Sequence, residues 1–161
     1  MGESEKEQIE SLIRRSRLED RAQLNPLGPG VASDQALNLL YNACDVGINT
    51  SMGEGWGLVS FEHGGSGAAQ VVPAHSACTE LWQGRAEMIP VAKSYKPEFS
   101  VQELGEVSTL GVAQALNNLY LSPQKRQQLA QAAFESAQNP QYSWDAIADQ
   151  FDNLFNAFRR T

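Results

Sequence analysis

Apolar positions along the chain switch between helical and extended spacing, the pattern of an α/β fold. Ile9, Leu12, Ile13 and Leu18 form one helical stripe, and Ser4 with Glu7 three residues on is a capping box, so a first helix is predicted from near Ser4. Residues 22–27 are short and uncharged, closed by Pro26-Leu27-Gly28-Pro29-Gly30, and read as a weak strand or a loop. Ser33 is suited to cap a second helix whose buried face is Leu37, Leu40, Tyr41 and Cys44. Residues 45–50 then predict a short buried strand, 52–57 a glycine-rich turn, 58–66 a helix, and 68–72 a second buried strand ended by Pro73. At most one helical turn is expected over 79–83, and a third strand over 86–91.

The last third, 107–161, reads as C-terminal helices. Val107, Val112, Leu116, Leu119 and Tyr120 give one stripe. Ser122 followed by Pro123 starts a further helix, which Asn139-Pro140 ends. Ser143 caps the last one, where Ile147, Phe151, Leu154, Phe155 and Phe158 keep helical spacing. The expected fold is a Rossmann-like three-layer α/β domain with a short parallel sheet, residues 1–161 forming a single unit.

The 161 residues fall near the commonest domain size, and 42% hydrophobic with 19% charged residues argues against disorder. Twelve Lys and Arg against nineteen Asp and Glu leave a net charge of −7, which disfavours nucleic acid as a partner. Two cysteines, Cys44 and Cys78, are too few for a disulfide scaffold and read as buried thiols. No apolar run approaches the roughly 20 residues of a membrane span, and the charged start lacks a signal-peptide pattern. A cytoplasmic location is the expectation. No His and Cys spacing here suits a zinc site, and His63 and His75 read as ordinary polar residues.

Chemistry is expected in the strand, turn and helix of residues 45–67. Loops after the carboxyl ends of parallel strands bind ligands in open α/β sheets. A helix N-terminus there presents unpaired N–H groups to phosphate or sugar hydroxyls. Gly53, Gly55 and Gly57 allow close backbone approach. Glu54 in the turn and Glu62 in the following helix are placed to accept hydrogen bonds from a sugar diol in one pocket.

Three stretches combine into a specific pattern: 40–46 (Leu-Tyr-Asn-Ala-Cys-Asp-Val), 51–58 (Ser-Met-Gly-Glu-Gly-Trp-Gly-Leu), then Phe61-Glu62 and Gly67. The pattern resembles the donor half of retaining glycosyltransferases of family 4, two-domain GT-B enzymes. The resemblance runs from about Glu3 to the end. Leu18-Glu19-Asp20-Arg21 looks like the family's turn before its third strand, and Trp144 like the aromatic step before its last helix. The resemblance implies glycosyl transfer from a nucleotide sugar with retention. It implies a catalytic role for Glu54 at hydroxyls of the donor sugar and contact of Glu62 with the nucleotide ribose. Backbone amides of Gly55, Trp56, Gly57 and Leu58 would meet the sugar and diphosphate. It implies no bound metal, and no cofactor beyond the nucleotide sugar as donor substrate.

The same resemblance sets the chain apart from a complete enzyme. The acceptor-binding N-terminal domain is expected to be missing, with the first two donor-domain strands and their pyrophosphate-holding Arg and Lys. No Lys or Arg occurs from Ala22 through Gly84, where Asp34, Asp45, Glu54, Glu62 and Glu80 are acidic. His63-Gly64-Gly65 departs from the family's alanine-like run, and each helix glycine costs about 1 kcal/mol against Ala. The leading reading is therefore the donor-binding portion of a glycosyltransferase, truncated or separately encoded and inactive alone. Two others stand beside it: a helper subunit completing a pocket on a partner chain, and an inactive Rossmann-like remnant with an interaction role. Self-association is expected of the isolated chain, through an unpaired sheet edge and the apolar stripe of the last helix.

Overall fold

The computed structural model describes residues 4–28 and 30–159. Glu3, where the resemblance begins, and Pro29, in the turn at 26–30, lie outside the described residues, as do residues 1, 2, 160 and 161. The chain divides into two compact units, 1–37 and 38–161.

In the first unit, α1 spans Glu5–Arg15. Its capping box is formed: the Ser4 hydroxyl accepts from the Glu7 N–H, and the Glu7 carboxylate accepts from the Ser4 N–H at 2.8 Å. The bonds to Ser4, from its backbone first and its side chain second, hold the Glu7 carboxyl below its ordinary range. Glu5 and Glu7 in the first turn and Arg14 and Arg15 in the last complement the helix dipole. Its apolar stripe stays largely in solvent, for Ile9, Leu12 and Leu18 are all exposed. A unit of this length has too little chain to close over a helix. Residues 22–27 form no strand: Gly28 N–H donates to the Asn25 carbonyl, and Asn25 sits at φ 47. Ser33 caps α2, Asp34–Asn42, its hydroxyl accepting from Ala36 N–H at 3.2 Å.

The second unit is built on a parallel sheet of β1 (Val46–Ile48), β2 (Ala69–Pro73) and β3 (Glu87–Ile89), in that order. Val46 pairs with Ala69, Ile48 with Val71, Val71 with Glu87 and Pro73 with Ile89. All five residues of β2 are buried. Ala69, Val71 and Ile89 pack with Ala115 and Leu119, while Val72 packs with Cys78, Trp82, Ala86 and Ala133. Apolar contacts thus cover both faces of the central strand, and each buried Val, Leu or Ile contributes roughly 1.5–3 kcal/mol. The expectation of a buried β1 is corrected: Ile48 is 48% exposed, because β1 has one strand neighbour among the described residues and lies at the sheet edge. Cys44 is also corrected. It is exposed, whereas Cys78 is fully buried. The position i+7 of the expected stripe falls just beyond the end of α2, where helical spacing no longer aims it inward.

Helix α3 spans Leu58–Gly65 and packs on β1 and β2. The Gly64-Gly65 pair has a packing role there. A Cβ at Gly64 would lie 2.8 Å from Trp82 Cη2 and 3.3 Å from Ala133 Cβ. One at Gly65 would lie 3.3 Å from Ala137 Cβ. Helix α4 spans Ser76–Trp82, starting earlier than the single turn expected at 79–83. After β3, an antiparallel hairpin of β4 (Val91–Tyr95) and β5 (Leu104–Val107) was not anticipated. Val107 therefore closes a strand, and Ser108 caps α5, Thr109–Leu121. On α5, Leu119 is buried but Tyr120 is 79% exposed, because one residue of helix turns through about 100°. Ser122 and Pro123 open α6, Pro123–Ala137, as expected. A short 3₁₀ turn over Pro140–Tyr142 precedes α7, Trp144–Phe158, which Ser143 caps. Phe151, Leu154 and Phe155 on α7 are exposed, and no residue of that helix is fully buried. No helix among the described residues is long and apolar enough to cross a membrane.

Candidate functional site

Parallel pairing places the carboxyl ends of β1 and β2 side by side, and the chain leaves each of them into a turn. From β1 it enters residues 49–57, and from β2 it enters Ala74, His75 and Ser76. These two turns hold each other. The Glu54 N–H donates to Ser76 Oγ at 3.1 Å, and His75 Nε2 lies 2.9 Å from the Ser51 carbonyl oxygen. Asn49 braces the first turn from within: its Nδ2 donates to Glu54 Oε1 at 2.9 Å, and its Oδ1 accepts from Ser51 N–H at 2.8 Å. The hairpin closes a third side. Gly105 N–H donates to the Met52 carbonyl at 2.8 Å, and Tyr95 hydroxyl donates to Met52 Sδ at 3.1 Å.

Glu54 lines an open cleft of about 270 Å³ with Gly53, Gly55, Ser76, Gln102, Glu103 and Leu104. Gly57 is the N-cap of α3 at φ 83 and ψ 56, a left-handed conformation suited to glycine. No side chain caps this helix, so its first N–H groups have no side-chain acceptor. Leu58, the first residue of α3, is exposed, and Glu62 lies four residues on along the same face. Glu62 is exposed and accepts a hydrogen bond from the Tyr41 hydroxyl at 3.0 Å. Tyr41 stacks on buried His63 at 5.3 Å, and the Nε2–H of His63 donates to the Cys44 carbonyl. Burial first, then the Glu62 carboxylate, pushes the Tyr41 phenol above its ordinary value.

Trp56 is half-buried, its ring edge-on to Phe61 at 5.4 Å and to Tyr142 at 5.3 Å. Phe61 and Tyr142 also meet edge-on, so the three rings form one cluster. The cluster anchors the turn that carries Glu54, Gly55 and Gly57. Tyr142 supplies the aromatic contact before α7, whereas Trp144 is 85% exposed. Behind the turn lies Cys78. Burial, with a smaller contribution from the Glu54 carboxylate, pushes its thiol up to about 11.

Of the residues singled out in the sequence, Gly53, Glu54 and Gly55 line the cleft, whereas Gly57 and Glu62 do not, Glu62 being turned to Tyr41. Sequence reasoning missed Asn49, Ser76, the bonds of His75 and the hairpin. The one sequence signal for His75 and Ser76 was their place two and three residues after a strand-ending proline, Pro73. A second cavity, about 400 Å³, lies at the opposite ends of the strands, lined by Tyr41, Asp45, Ser66, Ala68 and Arg126 among others.

No protein-family model matches this chain, and no curated protein sequence does. Solved structures do. Sucrose-phosphate synthase from Thermosynechococcus elongatus superposes with a TM-score of 0.71 at 21% identity, over 97% of this chain and 35% of that one. The C-terminal domain of a glycosyl transferase group 1 family protein from Francisella tularensis gives 0.64 at 18% identity, over 84% of this chain and 61% of that one. The chain therefore spans about a third and about three fifths of these two. Its mixed α/β architecture, with a short parallel sheet and a helical C-terminal region, is the fold of the C-terminal domain of GT-B glycosyltransferases.

Proposed function

We propose that this chain is the nucleotide-sugar-binding portion of a retaining glycosyltransferase of family 4. One observation carries the reading: a braced carboxylate, Glu54, stands beside the uncapped N-terminus of α3 at the carboxyl ends of two parallel strands. In this reading Glu54 is the catalytic carboxylate, accepting hydrogen bonds from hydroxyls of the donor sugar. The backbone amides of Gly55, Trp56, Gly57 and Leu58 meet the sugar and diphosphate, and Glu62 holds the ribose. Residues 1–161 serve as one donor-binding domain, cytoplasmic, that works with an acceptor-binding domain or partner chain. The isolated chain transfers no sugar and self-associates through exposed Phe151, Leu154 and Phe155.

A second reading, a helper subunit completing a pocket on a partner, is favoured by the absence of Lys and Arg from Ala22 through Gly84. A helix N-terminus contributes about 0.3–1 kcal/mol toward an anion, too little to hold a diphosphate among five carboxylates. Calorimetric titration with UDP-glucose, GDP-mannose and ADP-glucose tests the first reading. Saturable binding that is weakened by E54Q supports it. Binding that E54Q leaves unchanged, or none with any of the three, contradicts it. No binding alone but binding after a basic partner chain is added favours the second reading.

A further inference from the structure

His75 is engaged at both ring nitrogens. The Ser51 carbonyl beside Nε2 can only accept, so Nε2 carries the proton. Nδ1 then accepts from the Ser76 hydroxyl at 2.9 Å, and Ser76 Oγ in turn accepts from the Glu54 N–H at 3.1 Å. The result is a directional chain from the Glu54 amide through Ser76 to the imidazole, and from the imidazole to the Ser51 carbonyl. Both ends of the segment 51–54 are tied to one ring. The third side of the ring is covered by backbone: a Cβ at Gly105 would lie 2.8 Å from His75 Cδ2, so only glycine lets β5 lie this close. The same Gly105 binds Met52 between the two tied ends. Ser76 reaches its partners from φ 45, a backbone conformation rarely adopted outside glycine.

We infer that His75 is the positioning residue of the glycine-rich turn. It acts directly through the Ser51 carbonyl and, through Ser76, on the Glu54 amide, and so fixes the backbone from which the Glu54 side chain leaves, while Asn49 holds the carboxylate itself. The consequence for a donor rests on the reading proposed above; the positioning itself does not.

Amide hydrogen exchange of the full chain, read by NMR at Glu54, tests it in S76G, H75F and H75N. Glycine accepts the positive φ of residue 76, so S76G removes the hydroxyl without backbone strain. Phenylalanine keeps a ring against Gly105 and loses both nitrogens, while the Asn amide oxygen stands close to where Nδ1 was. S76G is expected to speed exchange of the Glu54 amide by about five- to tenfold. H75F is expected to speed it as well, and H75N to restore protection. The double variant S76G/H75F should exchange no faster than S76G, because both act on one chain of bonds. Wild-type exchange in S76G or in H75F overturns the inference, as does H75N behaving like H75F. Binding of UDP-glucose, GDP-mannose and ADP-glucose is measured separately on the same samples. Altered exchange with no binding by the wild type removes the donor reading and leaves the positioning role in place.

Discussion

The Asn49 side chain joins the end of β1 to the Glu54 carboxylate: its Nδ2 donates to Glu54 Oε1 at 2.9 Å while its Oδ1 accepts from Ser51 N–H at 2.8 Å. One amide thus holds both the backbone of the turn and the direction of its acid. Only a side chain with donor and acceptor on one carbon can do this from the end of a strand.

Replacing Asn49 separates these two tasks. N49A should cost about 1 kcal/mol of stability, the ordinary worth of a partly exposed hydrogen bond, read from urea denaturation. N49D should cost more at neutral pH, because it keeps the acceptor for Ser51 but sets a second carboxylate against Glu54. A variant N49D as stable as N49A would show that the Asn49–Glu54 bond is not held in solution.

The glycine pair of α3 gives a second prediction. By helix propensity alone, G64A should stabilise by about 1 kcal/mol. The new methyl would meet Trp82 Cη2 at 2.8 Å and Ala133 Cβ at 3.3 Å. Trp82 is 2% exposed and has little room to move. Overpacking should win, and G64A should be destabilised by about 1–3 kcal/mol. G65A meets only Ala137, at 3.3 Å, and should stay within about 1 kcal/mol of the wild type. Paired urea melts check the order, and a G64A protein more stable than G65A would contradict the close contact.

The two thiols should behave as different groups. Cys44 is exposed and should react promptly with a disulfide reagent, while buried Cys78 should react only after unfolding. The Cys78 thiol is pushed up to about 11 from an ordinary value near 9. In the unfolded chain it ionises first, so between these values the native state holds the extra proton and stability falls as pH rises. The loss should be on the order of 2 kcal/mol between about pH 9 and 11, and should be absent in C78A. Denaturation midpoints of both proteins across that window check the sign.

Local signals were legible in the sequence. The capping residues Ser4, Ser33, Ser122 and Ser143 each start a helix where expected, because a cap involves only the next few residues. The parallel pair β1 and β2 and the turn between β1 and α3 were legible for a similar reason, since short apolar runs flank a cluster of glycines. What was not legible depends on distant partners. Lys93, Ser94 and Tyr95 are exposed and carry no burial pattern, so their pairing with residues 104–106 left no trace in periodicity. His75 finds Ser51, and Ser76 finds Glu54, across more than twenty residues of chain. The glycines of α3 were legible as a cost, but the Trp82 ring that requires one of them was not.

The most direct measurement is chemical-shift mapping of the full chain titrated with UDP-glucose and with GDP-mannose. The account predicts that at least one donor moves the amides of Gly55, Trp56, Gly57 and Leu58 together with Glu54 and Glu62, and leaves Asp45, Ser66 and Arg126 at the opposite ends of the strands unmoved. Shifts confined to that opposite cavity, or none anywhere at millimolar donor, would contradict it.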